Sequence, residues 1–188
     1  MRKPETWPGA GGWGRVFLLV AAAALASAAA SRGPVPLRGA EVLADRDAVG
    51  PGESLSLVVR VTLHRDFHVN SHVPSQDYLI PTRLETDPVE GLEFGEWVYP
   101  EGEMKKFPFS EEPLRVYEGS FLIRGSLKAG AGTAPGARRL TVRLRYQSCT
   151  REKCLAPRVE EIPLDLRVVA PGTATRRLHS DLFPVPGS

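Results

Sequence analysis

Cysteine is scarce in this chain of 188 residues: there are two, Cys149 and Cys154, and neither lies near the amino terminus. With no cysteine beside a leader cleavage point, a lipid-anchored lipoprotein is disfavoured. Excess charge of one sign is missing too. The formal net charge is +2, and the first 28 residues hold three basic groups against one acidic, so removing them brings the sum to 0. A neutral body offers no electrostatic footprint for a nucleic-acid partner. After the Ala-rich stretch that ends at Ala30, no run approaches the ~20 apolar residues of a membrane-spanning helix. Helical periodicity is not sustained anywhere in that remainder, and there is no internal repeat. A Ser/His/Asp elbow and a phosphate-cradling glycine loop are also lacking; Gly125 to Gly136 is a turn-rich connection.

What the chain does have begins with a leader. Arg2, Lys3 and Arg15 precede Val16-Phe17-Leu18-Leu19-Val20 and an Ala-rich stretch, and Ala26-Ser27-Ala28 fits a small-residue cleavage site. That order is a secretory signal peptide over residues 1–28. The run is too short for an anchor, so cleavage is expected, with export to an oxidising compartment such as the periplasm. Residues 29–39, with Pro34 and Pro36, read as a linker, and 171–188 as a mostly irregular tail. The body between them, roughly 130 residues at 40–170, is long enough for one core without staples.

The body speaks in period two. Leu55, Leu57, Val59, Val61 and Leu63 alternate with Ser56, Val58, Arg60 and Thr62, as in a half-buried strand. Leu140 to Tyr146 and Ile162 to Val168 repeat the pattern. Shorter candidates are Glu41–Ala48, Phe67–Ser71, Thr82–Asp87, Leu92–Tyr99 and Val116–Leu127, separated by turn residues such as Gly50-Pro51-Gly52. About eight strands at this spacing predict an all-β fold, an immunoglobulin-like antiparallel β-sandwich, with a barrel as the alternative.

Cys149 follows one alternating strand, and Cys154 precedes Pro157 and the next. A hairpin-like connection brings them within reach of a bond if their Cα atoms come within about 7 Å. A structural disulfide here is a weak device, because closing a loop of about six residues stabilises by only ~2 kcal/mol. A short exposed bridge is instead easily exchanged. Exchange needs a thiolate, whose population nearby cations raise; Arg151 and Lys153 flank the loop, and Glu152 opposes them. Redox exchange, a structural bridge and metal binding all remain open from the spacing alone.

His64, His68 and His72 share a strand face only at about 13 Å per four residues, too far for one ion. They read as polar surface or rim positions, and no metal or cofactor is expected. Glu101, Glu103, Glu111 and Glu112 fall beside Lys105 and Lys106 in a Pro- and Gly-bearing loop, which reads as solvated surface rather than paired hydrolytic carboxylates.

Tyr146-Gln147-Ser148-Cys149 and Cys154-Leu155-Ala156-Pro157, with a strand on either side, resemble the signature of the amino-terminal domain of the thiol–disulfide interchange protein DsbD. Phe67 to Ser71, Tyr78 to Leu84 and Tyr117-Glu118-Gly119 extend the resemblance, in order, over about residues 40–170. The resemblance implies an immunoglobulin-like domain that takes electrons from a thioredoxin-like donor. It would pass them to oxidised exported proteins, such as disulfide isomerases or cytochrome c maturation factors. Cys149 and Cys154 would be the catalytic pair, with Cys154 facing the partner and Cys149 resolving. A cap loop over Lys105–Pro113 would shield them, with Phe109 as the covering ring and Phe107 second; the plain alternative is that both rings fill the core edge. His68, Asn70, Tyr117 and Tyr146 are the implied neighbours of the site, His68 as a local base or cation if its strand lies beside the hairpin. Some members carry aromatic residues where His68 and Asn70 stand, so a hydroxyl role there is replaced or absent. Complete DsbD proteins also carry a transmembrane domain and a C-terminal thioredoxin-like domain. This sequence has neither, so it is not expected to move electrons across a membrane itself.

Overall fold

A computed structural model describes residues 34–184; the predicted signal peptide lies outside them. Eleven strands form three antiparallel sheets, and there is no helix among the described residues. One sheet has the order β1 (Leu37–Ala44), β2 (Ser54–Leu63), β8 (Ser120–Ala129), β5 (Leu92–Phe94). A second has the order β11 (Arg158–Val168), β9 (Gly136–Tyr146), β4 (Arg83–Thr86). The third, smaller in span, has the order β10 (Ser148–Cys149), β3 (His68–Asn70), β7 (Leu114–Glu118), β6 (Glu103–Lys105). The architecture is the expected immunoglobulin-like sandwich, not a barrel.

The alternation in the sequence is the cause of the packing. In β2 and β8, Leu55 pairs with Leu127, Val59 with Ile123 and Val61 with Phe121, so one whole face is apolar. In β11 and β9, Ile162 pairs with Val142 and Leu164 with Leu140. These faces meet in two buried clusters, one around Val59, Ile123 and Leu144 and one around Leu57, Leu127 and Leu164. Each such side chain contributes about 1.5–3 kcal/mol on burial. Gly125, opposite Leu57, leaves room for a ring: a Cβ there would meet Trp97 at 2.5 Å. Pro163 sits inside β11 because that strand is a sheet edge, where its missing N–H breaks no ladder.

The third sheet grows from the ends of the other two. The chain passes from β9 to β10 across Gln147 alone, and from β7 to β8 across Gly119, whose φ of 62° turns the strand. The single strand expected at Val116–Leu127 is therefore two strands in different sheets, a split that the continuous apolar pattern conceals. β1 begins at Leu37, ahead of the expected Glu41, because Leu37 is buried against Leu63 and the Pro36 carbonyl accepts from His64 N. The described part of the tail is irregular but docked. Leu178 N donates to Asp45 O, Arg124 donates to Leu182 O, and Phe183 is buried. Val58, on the outer face of β2 beside Arg124, is fully buried.

Candidate functional site

The cysteine loop is a tight hairpin built by its own backbone. Leu155 N donates to Ser148 O at 2.8 Å and Thr150 N to Lys153 O at 2.8 Å. The Thr150 hydroxyl accepts from Glu152 N and Lys153 N, a local side-chain turn that short hydroxyl residues favour. Gln147 ties the loop to the sheet, with Nε2 donating to Leu155 O and Oε1 accepting from Asn70 Nδ2. Across this frame Cys149 and Cys154 are joined, with S–S 2.00 Å and Cα atoms 3.9 Å apart. Burial divides the pair: Cys149 is 0% exposed, and Cys154 is exposed.

Strand pairing decides what surrounds the sulfurs. Cys149 stands directly opposite His68, and Ser148 opposite Val69. Residues in register share a face, and successive residues alternate. Cys149 and His68 therefore lie on one face of the third sheet together with Asn70, Val116 and Glu118, which are the register partners and alternates of β3 and β7. Val69, Tyr117 and Tyr146 belong to the main core.

A loop folds over the cysteine face. Phe107 packs with Leu79, Leu114 and Val116, and its ring stacks on His68 with centroids 4.0 Å apart. Phe109 stacks in turn on Phe107 at 5.4 Å and is 39% exposed. The loop is braced by Lys105, whose Nζ meets Glu103 at 3.0 Å and Glu118 at 3.2 Å. Lys106 Nζ also donates to Glu111 O, and Ser110 Oγ to Glu112 O. Residues 106–111 and Arg151 of the cysteine loop line one open groove.

His68 is 2% exposed, and its Nε2 has no hydrogen-bond partner among the described residues. Burial lowers its pKa to about 4, against the opposing pull of Glu118. The ring is thus neutral at pH 7, which corrects the expectation of a surface histidine and of a cation beside the sulfurs. Its period-two neighbours gave no sign of burial, because the cover comes from a loop some forty residues away.

Residues 39–166 match the family described as thiol:disulfide interchange protein DsbD, N-terminal. The chain belongs to that family. Among solved structures, the N-terminal periplasmic domain of ScsB from Proteus mirabilis matches at 14% identity with a TM-score of 0.45, covering 69% of this chain and 46% of that one. A family 123 glycoside hydrolase from Clostridium perfringens matches at 11% identity with a TM-score of 0.35, covering 72% and 27%. The chain thus spans less than half the length of either structure. No curated protein matches.

Of the residues expected at the site from the sequence, the structure brings Cys149, Cys154, His68, Asn70, Phe107 and Phe109 together on or against one face of the third sheet. Asn70 is engaged: its Nδ2 donates to Ile80 O at 3.0 Å. Tyr117 and Tyr146 lie elsewhere. The Tyr117 hydroxyl donates to Pro100 O and accepts from His72 N, and its ring stacks on Phe121 in the main core, so it is a structural anchor. Tyr146 is 2% exposed in the same core. Gln147 and Thr150 were missed by sequence reasoning. The hydroxyl three residues before Lys153 was the available signal for Thr150, whereas Gln147 shows only through its long-range partner. His64 is exposed, and half-buried His72 stacks on Tyr99 at 3.7 Å. Among the described residues, no three His, Cys, Asp or Glu side chains are placed to hold a metal ion, and no helix is long and apolar enough to cross a membrane.

Proposed function

We propose that this domain relays electrons by thiol–disulfide exchange through Cys149 and Cys154 in an exported, periplasm-like compartment. It takes them from a thioredoxin-like donor and gives them to oxidised exported proteins, with no cofactor. The observation that carries this reading is the unequal pair: a closed disulfide at a hairpin, one member exposed and the other buried.

In the accepting direction, a donor thiolate attacks Cys154 Sγ. The Cys149–Cys154 bond breaks, its electron pair leaves on Cys149 Sγ, and a donor–Cys154 mixed disulfide forms. The donor's second thiolate then attacks the donor sulfur of that bond and releases Cys154 as a thiolate. Two electrons have moved, and the donor dithiol is now a disulfide. In the delivering direction Cys154 attacks the acceptor's disulfide, and Cys149 resolves the adduct. Exposure favours Cys154 for the outer role. Phe107 and Phe109 serve as the cap, since their loop covers the face that carries Cys149, and Arg151 at the groove offers a cation near the reacting sulfurs.

The rival reading is an inert hairpin disulfide in a binding module. The test is single-cysteine trapping: Cys149→Ala and Cys154→Ala variants are each mixed with an oxidised thioredoxin-like protein. Adducts through Cys154 in the first variant, well above those in the second, are expected. Adducts mainly through Cys149 reverse the order, and no adducts in either variant overturn the exchange reading.

A further inference from the structure

Breaking the disulfide leaves charge in an awkward place. The electron pair from an attack at Cys154 lands on Cys149, a fully buried residue. A thiolate without water is costly, and burial by itself raises a thiol's pKa. The cysteine face must therefore supply a donor. Asn70 is on that face, but its Nδ2 is engaged by Ile80 O and Gln147 Oε1. The Ser148 hydroxyl is also buried without a partner, yet alternation puts Ser148 on the opposite face. His68 remains. It is the register partner of Cys149, 2% exposed, held by the Phe107 stack at 4.0 Å, with Nε2 unpartnered among the described residues. A buried polar group without a partner destabilises the fold, so its retention beside a reactive sulfur asks for a use.

We propose that His68, as the Nε2–H tautomer, donates a hydrogen bond to the Cys149 thiolate that forms when the disulfide opens, and so stabilises the leaving sulfur. This rests on the exchange reading and assigns the residue that assists its buried half. The proton stays on nitrogen throughout; the thiolate later takes its own proton from solvent as the pair completes reduction. A neutral ring suits the task. The charged groups around it balance when taken together: Glu118 of β7 faces His68 in register and is paired with Lys105 of β6, which also holds Glu103. The cap loop adds Lys106 and Glu111, and the cysteine loop adds Arg151, around the open groove. A neutral donor leaves that balance intact in both redox states.

The test uses the Cys154→Ala chain, in which Cys149 is the sole thiol, and reads its pKa from ultraviolet thiolate absorbance. His68→Phe keeps a ring for the stack and removes the donor. It is expected to raise the Cys149 pKa by about one unit, a tenfold loss of thiolate at fixed pH. In the two-cysteine chain the same substitution should slow reduction by a small dithiol by about tenfold, and His68→Gln, which restores an N–H, should recover part of both. An unchanged pKa and rate in His68→Phe overturn the proposal. Nitrogen NMR of the unsubstituted ring in the Cys154→Ala chain is a check that needs no altered histidine: a proton on Nε2 supports the proposal, and a bare Nε2 above the thiol's pKa overturns it. If the parent exchanges and His68→Phe exchanges equally, only the histidine assignment fails. A parent disulfide inert to dithiols sinks the exchange reading, while the pKa and NMR arms still report on the hydrogen bond.

Discussion

Reducing the disulfide should leave this domain folded, and the size of the loss can be worked out. Cys149 and Cys154 are five positions apart, so the bond closes a very short loop. The chain-entropy relation gives ~2 kcal/mol for a loop of about six residues. Reduction adds little further cost while Cys149 is protonated, since a buried thiol behaves as a small apolar side chain. The two main clusters, around Val59 and Leu57, contain neither sulfur and stay intact. Against a typical total of about 5–15 kcal/mol, a loss of ~2 is survivable. With an m-value of about 2 kcal/mol per molar urea, the reduced form should melt about 1 M earlier than the oxidised form, with the same slope. The assay is a pair of urea titrations followed by far- and near-ultraviolet circular dichroism, one under reductant. By linkage, the folded pair should be about 40 mV more reducing than the same pair in the unfolded chain. A reduced form that has lost its cooperative transition, or a loss above about 4 kcal/mol, would refute this reasoning and make the bond a structural staple.

Three further outcomes follow from His68 and the two rings stacked over it. His68 has a folded pKa of about 4 against 6.5 in a free histidine, so the unfolded chain binds the extra proton first as pH falls. Stability should therefore drop between pH 6.5 and 4, by at most ~3 kcal/mol, and His68→Phe should remove that share of the drop in denaturation curves taken across the range. Phe109, at the outer end of the stack and 39% exposed, should cost less than ~1 kcal/mol when changed to Ala, yet reduction by a small dithiol should speed up several-fold. Phe107→Ala removes a buried ring and should cost about 3 kcal/mol by thermal melting.

The fold was legible where burial writes itself into period two. Leu55–Leu63, Leu140–Tyr146 and Ile162–Val168 all became core strands because their alternate apolar residues are buried together in the two main clusters. The break at Gly119 was not legible, since Tyr117 and Phe121 on either side of it both serve the same core and only the glycine's positive φ marks the turn. Nor was β10, whose two residues are too few to show a period. At the site, the cysteine pair could be read directly, because both sulfurs lie in one local hairpin. What faces them could not. The Cys149–His68 pairing joins segments some eighty residues apart, and register between distant strands leaves no local trace. His68 has the polar character of a surface residue, and its burial comes from Phe107 on a third segment.

The most direct test of the exchange account is a redox titration of the unaltered domain in glutathione buffers, with free thiols counted by alkylation and mass spectrometry. A working relay predicts a reversible two-electron transition above about −300 mV, in the range where thioredoxin-like partners operate. A pair that stays fully oxidised below that potential would contradict the account and leave Cys149–Cys154 as an inert bond.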